Sequence, residues 1–268
     1  MLAFSYLVIF FFGLIVGSFL NSIIYRLSTG ESFLFKRSFC PHCKHQLSWQ
    51  DLIPLLSFFV LKGKCRYCQK PISWQYPLVE LSTAIIFLST FQLTINNQQL
   101  AIPPIFNFCY LLIVVCFLII IFVYDLKHYI IPDKIIYPAI IVSGIWYFVS
   151  GIFLNLYTKY EILNTIYSAF GAAVFFLLIV LVSRGKWMGA GDIKLAFLMG
   201  LFLSFPKILA ALFLAFFIGA IIGIGLILAG KKTLKSEVPF GPFLVTGTFI
   251  ALFWGENIIK WYLNFFNV

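Results

Sequence analysis

Two aspartates and four cysteines have the types and spacing that chemistry needs. Asp125 follows an apolar run that ends at Tyr124, and Asp192 precedes one that begins at Ile193. A carboxylate at the mouth of such a segment is costly and has no obligatory part in folding. Two carboxylates in one low-dielectric site cannot both ionise easily, so one keeps a proton while the other stays charged. Such a pair can activate a water with its charged member and protonate a substrate oxygen with its neutral one. It titrates as a unit, so neither residue has a fixed role as acid or base. Gly189 and Gly191 frame Asp192 in the stretch Met188-Gly-Ala-Gly-Asp, where a tight turn and close approach of an extended substrate backbone become possible. Each aspartate taken singly reads as a helix-end residue meeting water, with Asp192 as an N-cap. The pair on one face favours catalysis.

The cysteines form two C-x2-C pairs, Cys40 with Cys43 and Cys65 with Cys68, separated by 21 residues. Four thiolates at this spacing can surround one tetrahedral zinc. Two disulfides are the other reading, but charge places this loop in the cytoplasm, where thiols stay reduced. A site filled by four cysteines leaves no position for water, so the metal is expected to be structural. His42 and His45 read as surface residues. Cys109 and Cys116 lie in an apolar run and read as small packing residues.

The elements that must position these groups are membrane spans. The chain has 268 residues, 62% hydrophobic and only 10% charged, against about 25% charged in a soluble domain. A span needs about 20 apolar residues. Runs at 2–25, 77–95, 102–124, 135–153, 163–183, 193–206, 207–229 and 240–259 give about eight, of which the sixth is short. The expected fold is therefore an all-α polytopic membrane protein. A small cytoplasmic zinc-binding insert lies between helices 1 and 2. The first run lacks a basic start and a small-residue cleavage site, and it reads as a retained span. In the polar loop 26–76, the short run Leu52–Leu61 reads as the core of a folded insert. No internal repeat is visible.

With that loop in the cytoplasm, 16 of the 19 Lys and Arg residues fall on the cytoplasmic side. The net charge of +10 is then a topology signal rather than a nucleic-acid footprint, with attraction to anionic lipid as a secondary role. The same topology brings Asp125 and Asp192 to the cytoplasmic end of the bundle at similar depth. Other polar groups read more plainly. Asn21 suits interhelical hydrogen bonding, and Gly13 with Gly17 suits close helix contact. Asp133 reads as a helix-start residue, Lys194 as facing headgroups, and Gly241 with Pro242 as a re-entrant turn near the pair. Glu80 reads equally as a functional acid or a first-turn residue favoured by the helix dipole.

These stretches together resemble the bacterial type IV prepilin peptidases, which are GxGD-type intramembrane aspartyl proteases and bifunctional leader peptidases and N-methyltransferases. The resemblance rests on "GLIVGSFLNSIIYRL" at 13–27, the four-cysteine loop, "QYPLVELSTA" at 75–84, "DLKHYIIPD" at 125–133, "GAGDIKL" at 189–195 and "PFGPFL" at 239–244. One departure is Ser28, where the family often has proline. The resemblance implies Asp125 and Asp192 as catalytic residues; Gly189, Gly191 and Lys194, read from their own positions beside Asp192, are expected to support them. It implies prepilin or pseudopilin substrates, whose short basic leader is cut after its terminal Gly at the cytoplasmic membrane face. It also implies methylation of the new N-terminus from S-adenosylmethionine, with Gly63, and Glu80 more loosely, associated with that step. On this reading 1–25 is the first helix, 26–76 the methyltransferase-associated zinc insert and 77–268 the peptidase domain in the inner membrane. A transporter would place its acids near the midplane with polar faces along several spans. A zinc-bearing scaffold would leave the Gly-Ala-Gly-Asp turn unexplained.

Overall fold

The structure, a computed structural model, describes residues 2–31, 37–96, 104–153, 157–230 and 238–265. Nine α-helices are found among the described residues: α1 (Leu2–Thr29), α2 (Leu56–Val60), α3 (Gln75–Asn96), α4 (Pro104–His128), α5 (Asp133–Phe148), α6 (Lys159–Ser183), α7 (Ala190–Leu203), α8 (Lys207–Leu228) and α9 (Gly241–Phe265). A π turn at Val149–Phe153 extends α5. Seven of the helices are long and apolar enough to cross a membrane, and α7, with 14 residues, is not. The eight spans expected from composition thus become seven of full length plus one short helix. Boundaries also move outward. Helices α1, α4 and α9 run past their apolar runs because a helix continues until a cap stops it, whatever the polarity of its last turn.

The chain forms two compact units, 1–98 with 111–120, and 99–110 with 121–268. In the first, α1 packs on α3. A Cβ on Gly13 would lie 2.6 Å from Ala84 Cα, and one on Gly17 would lie 2.7 Å from Glu80 Cα. The two glycines therefore set the approach of these helices, as the G-x-x-x-G spacing predicts. Asn21 is buried and donates to the Tyr76 carbonyl at 3.1 Å, while Gln75 Nε2 donates to Asn21 Oδ1 at 3.1 Å. These are the interhelical bonds expected of it.

The second unit is built around α7. Helices α5, α6, α8 and α9 all pack against it, and most of its residues from Leu195 to Leu203 are buried. A Cβ on Gly200 would overlap the backbone at Ser168 and Ala169, so α6 and α7 touch backbone to backbone. Thr158 starts α6 with a capping box: its N–H donates to Glu161 Oε2 at 2.7 Å and Glu161 N–H returns the bond to Thr158 Oγ1. The tight turn read at Ser204 to Lys207 is present. Thr165 and Ser204 hydroxyls meet at 2.7 Å beneath it. Cys116 is partly buried, but Cys109 is exposed on the flank of α4 and is not a packing residue. Lys36, Lys231, Lys232 and Lys235, counted in the charge bias, lie outside the described residues.

The insert differs from its expected form. It contains a repeat: each cysteine pair sits in the same knuckle. Cys40 N–H donates to the His45 carbonyl and Lys44 N–H to the Cys40 carbonyl. Cys65 N–H donates to Lys70 and Gln69 N–H to Cys65 in the same manner. One antiparallel bridge closes each, Phe39 with Gln46 and Lys64 with Pro71. Lys44 and Gln69 occupy matching positive-φ positions. The repeat escapes a sequence comparison because only the cysteines and backbone pattern recur. The run Leu52–Leu61 is not a core. Only Phe58 of it is buried, whereas Leu52, Leu56, Phe59 and Val60 are exposed.

Candidate active site and metal site

Asp125 sits in the last turn of α4 and Asp192 in the first turn of α7. Both are buried, at 4% and 7% exposure. The Gly-Ala-Gly turn places Asp192 three residues after the helix cap, where its carboxylate accepts the Gly189 N–H at 3.2 Å. That bond satisfies one of the helix's orphan donors and fixes the side chain. Asp125 accepts from the backbone N–H of Gly241, which opens α9. Its carboxylate lies so near that a Cβ on Gly241 would stand 2.5 Å from Oδ2. Asp192 lies within the electrostatic field of Asp125. The two carboxylates share one end of the unit, as the alternation of spans requires.

Ile131, buried in the loop after α4, packs beside the glycine next to each aspartate. A Cβ on Gly191 would meet Ile131 Cβ at 3.0 Å, and one on Gly241 would meet its Cδ1 at 3.5 Å. Sequence reading misses Ile131, since an isoleucine in an apolar chain carries no signal. It also takes Gly241 and Pro242 for a re-entrant turn. They are instead the first residues of α9, and Gly241 supplies a backbone donor. Lys194 does not face headgroups alone. Its Nζ lies 2.6 Å from Asp133 Oδ1 and 4.8 Å from the centre of the Tyr137 ring. It therefore ties the start of α7 to the start of α5. Asp133 is in the first turn of α5, as read, with this added partner.

The four cysteine sulfurs of the insert all lie within 4.8 Å of one another, and Cys40 Sγ is 3.9 Å from Cys68 Sγ. Zn–S bonds of 2.3 Å in a tetrahedron give an S–S edge of about 3.8 Å, so the set fits one zinc closed to water. Burial would raise the Cys40 thiol, but N–H groups of Cys43 and His42 outweigh it and bring the thiol down to about 7. His45 stacks on Tyr67 at 3.7 Å and His42 is exposed; neither belongs to the cluster. Gly63 has φ +68, and a Cβ there would meet the Phe58 ring at 3.2 Å. Glu80 is buried in α3, where its Oε2 accepts the Leu55 N–H at 2.8 Å. The two residues therefore bracket one segment, 55–63.

Residues 11–93 match the Bacterial Peptidase A24 N-terminal domain, and residues 112–224 match the Type IV leader peptidase family. A prepilin leader peptidase/N-methyltransferase of Aeromonas hydrophila is 31% identical, over 96% of this chain and 93% of its own. One of Legionella pneumophila is 32% identical over 98% and 96%. The chain belongs to the type IV leader peptidase family. A further relative of the same name in Bacillus subtilis (strain 168) is 31% identical over 96% of this chain and 97% of its own. No solved structure matches. This leader peptidase is thus a multi-pass membrane protein. Its two buried carboxylates and its cysteine cluster fall in separate units of the chain.

Proposed function

We propose that Asp125 and Asp192 are the catalytic pair of a prepilin leader peptidase that also N-methylates its product. The observation that carries this is two acids from separate helices at one end of one unit, both buried, each held by a glycine N–H, with Ile131 beside Gly191 and Gly241. Two carboxylates in one dry site share a single proton. The charged member takes a proton from water, whose oxygen attacks the scissile carbonyl carbon. The neutral member donates its proton to the carbonyl oxygen. Collapse of the tetrahedral intermediate breaks the C–N bond, and the leaving amine departs protonated. Gly189 gives the substrate backbone room, Gly191 lets Ile131 pack close to the start of α7, and Lys194 steadies the helix that carries Asp192.

The substrate is a prepilin or pseudopilin, cut after the Gly that ends its basic leader, at the cytoplasmic face of the inner membrane. The relatives' names and the surplus of basic residues on one side of the helices support that reading. Residues 26–76 form a zinc-stabilised insert between helix 1–25 and a peptidase domain 77–268, and the insert serves methylation. S-adenosylmethionine supplies the methyl group. Gly63 and Glu80 shape the segment beside which the new N-terminus is received.

The test is cleavage of a prepilin-like substrate in membranes by the unaltered chain, by Asp125→Ala and by Asp192→Ala, each shown to accumulate normally. Each single change is expected to abolish cleavage. A variant that still cleaves at a comparable rate removes the shared-proton mechanism.

A further inference from the structure

We infer that α2 and the residues beside it form an interfacial anchor, by which the insert seats itself on the bilayer and contacts anionic lipid headgroups. The short helix exposes Leu56, Phe59 and Val60, spaced i, i+3 and i+4 on one face, with Phe59 61% and Val60 67% exposed. Phe58 points the other way, against Trp74 at 4.9 Å. A patch of this kind on a water-soluble loop marks a binding surface, and three observations identify what covers it.

The first is depth. Leu55, the residue before α2, donates its N–H to Glu80 at 2.8 Å. Glu80 lies five residues inside the helix that spans Gln75–Ile95, or about 7–8 Å along its axis. Side chains lean toward the helix N-terminus, so the carboxylate lies between that level and the helix start. With the bilayer surface at the start of that helix, the bond holds the beginning of α2 at the depth where interfacial helices bury their apolar face, about 5–10 Å into the headgroup and acyl boundary. The second is continuity. Trp74, Leu78, Leu81 and Ile85 are all exposed at heptad-like spacing, which makes a stripe along the outside of α3. Trp74 heads that stripe and packs on Phe58, the buried side of α2, so α2 sits beside the head of the lipid-facing stripe of the span. A tryptophan at this level is at home in the membrane interface. The third is charge. α2 is followed at once by exposed Lys62 and Lys64, which suit anionic headgroups.

The arrangement also accounts for a buried glutamate that accepts hydrogen bonds from the Leu55 amide and the Ser18 side chain. It locks the insert to the span rather than to a ligand. The inference does not depend on the proposed catalysis, since it concerns only α1, the insert and α3.

The experiment uses the full chain with Phe59 replaced by the photocrosslinker benzoylphenylalanine. The chain is reconstituted in nanodiscs of phosphatidylcholine with or without phosphatidylglycerol, irradiated and analysed by mass spectrometry. The same probe at Val60 guards against a local folding failure. Lipid adducts are expected at both positions, enriched in phosphatidylglycerol, with that enrichment lost in the Lys62→Gln, Lys64→Gln double variant. An adduct to another part of the chain or to a second copy, or no adduct at either position, overturns the inference. Lipid adducts without preference for phosphatidylglycerol overturn its anionic component.

Discussion

At the scale of single residues, the decisive feature is how little room surrounds the carboxylate of Asp125. Gly241 offers it a backbone N–H, and the same glycine leaves no space for a methyl group, which would stand 2.5 Å from Oδ2. Gly241→Ala is therefore expected to push the carboxylate off its donor while leaving the rest of α9 intact. A displacement of about 1 Å at a reacting group costs on the order of 100-fold in rate. Cleavage by Gly241→Ala should fall by that order with the chain still inserted, and unchanged cleavage would detach the glycine from the site. Composition and spacing place both aspartates at one end of the bundle. They do not disclose the Gly241 donor or the packing of Ile131, because each depends on contact between segments far apart in the sequence. The exposed Phe59 was hidden for a different reason. A short apolar run looks the same in sequence whether it faces a protein core or a bilayer, and the exposure of Phe59 and the Leu55–Glu80 bond appear only in the fold.

At the scale of elements, the pair Lys194 and Asp133 joins α7 to α5 beside the site. Asp133 is 62% exposed at its side chain, and exposed pairs of this kind contribute about 0–1 kcal/mol. Lys194→Ala should lower thermal stability only by that order, yet reduce kcat for cleavage. The reversed pair Asp133→Lys with Lys194→Asp should recover part of that rate. Equal, large losses of stability would mark a purely structural tie. In the insert, Asp51 closes the turn before α2. Its carboxylate accepts from Ser48 N–H at 3.1 Å and Ser48 Oγ at 2.8 Å, and pairs with Arg66 at 2.7 Å. Burial would raise its pKa, but the bonds from Ser48 and Arg66 outweigh burial and hold it below the ordinary aspartate value. A depressed carboxylate contributes stability that is full above its unfolded value of about 3.9 and is lost as pH falls through the folded one. Insert unfolding followed by Tyr and Trp fluorescence should therefore turn more acid-sensitive below that pH, and Asp51→Asn should weaken the dependence. Identical acid profiles for the two chains would show that Asp51 makes no such contribution.

At the scale of the whole molecule, the carboxylate pair and the cysteine cluster lie in separate units with different sources of order. The unit that holds the carboxylate pair is built on close helix contacts. The overlaps a methyl group would meet at Gly200 and Gly247 show how tightly α6 with α7 and α8 with α9 are packed. The insert has no comparable interior. Among its described residues from 37 to 74, only Cys40, Phe58 and Cys65 are buried. A module that small, with two of its three buried residues in the metal cluster, has no apolar core to hold it once the metal leaves, and structural zinc modules unfold without their ion. Removal of zinc by a chelator, or Cys40→Ser with Cys65→Ser, should disorder the two knuckles while Asp125, Asp192, Gly241 and Ile131 stay in place, because all four lie in the other unit. Cleavage of a prepilin-like substrate should then continue at a comparable rate while the methylated product disappears. Mass spectrometry of the mature N-terminus separates the two outcomes in one sample. Cleavage that fails in parallel with methylation would mean that the insert positions the substrate for both steps, and the division of labour between the units would have to be abandoned.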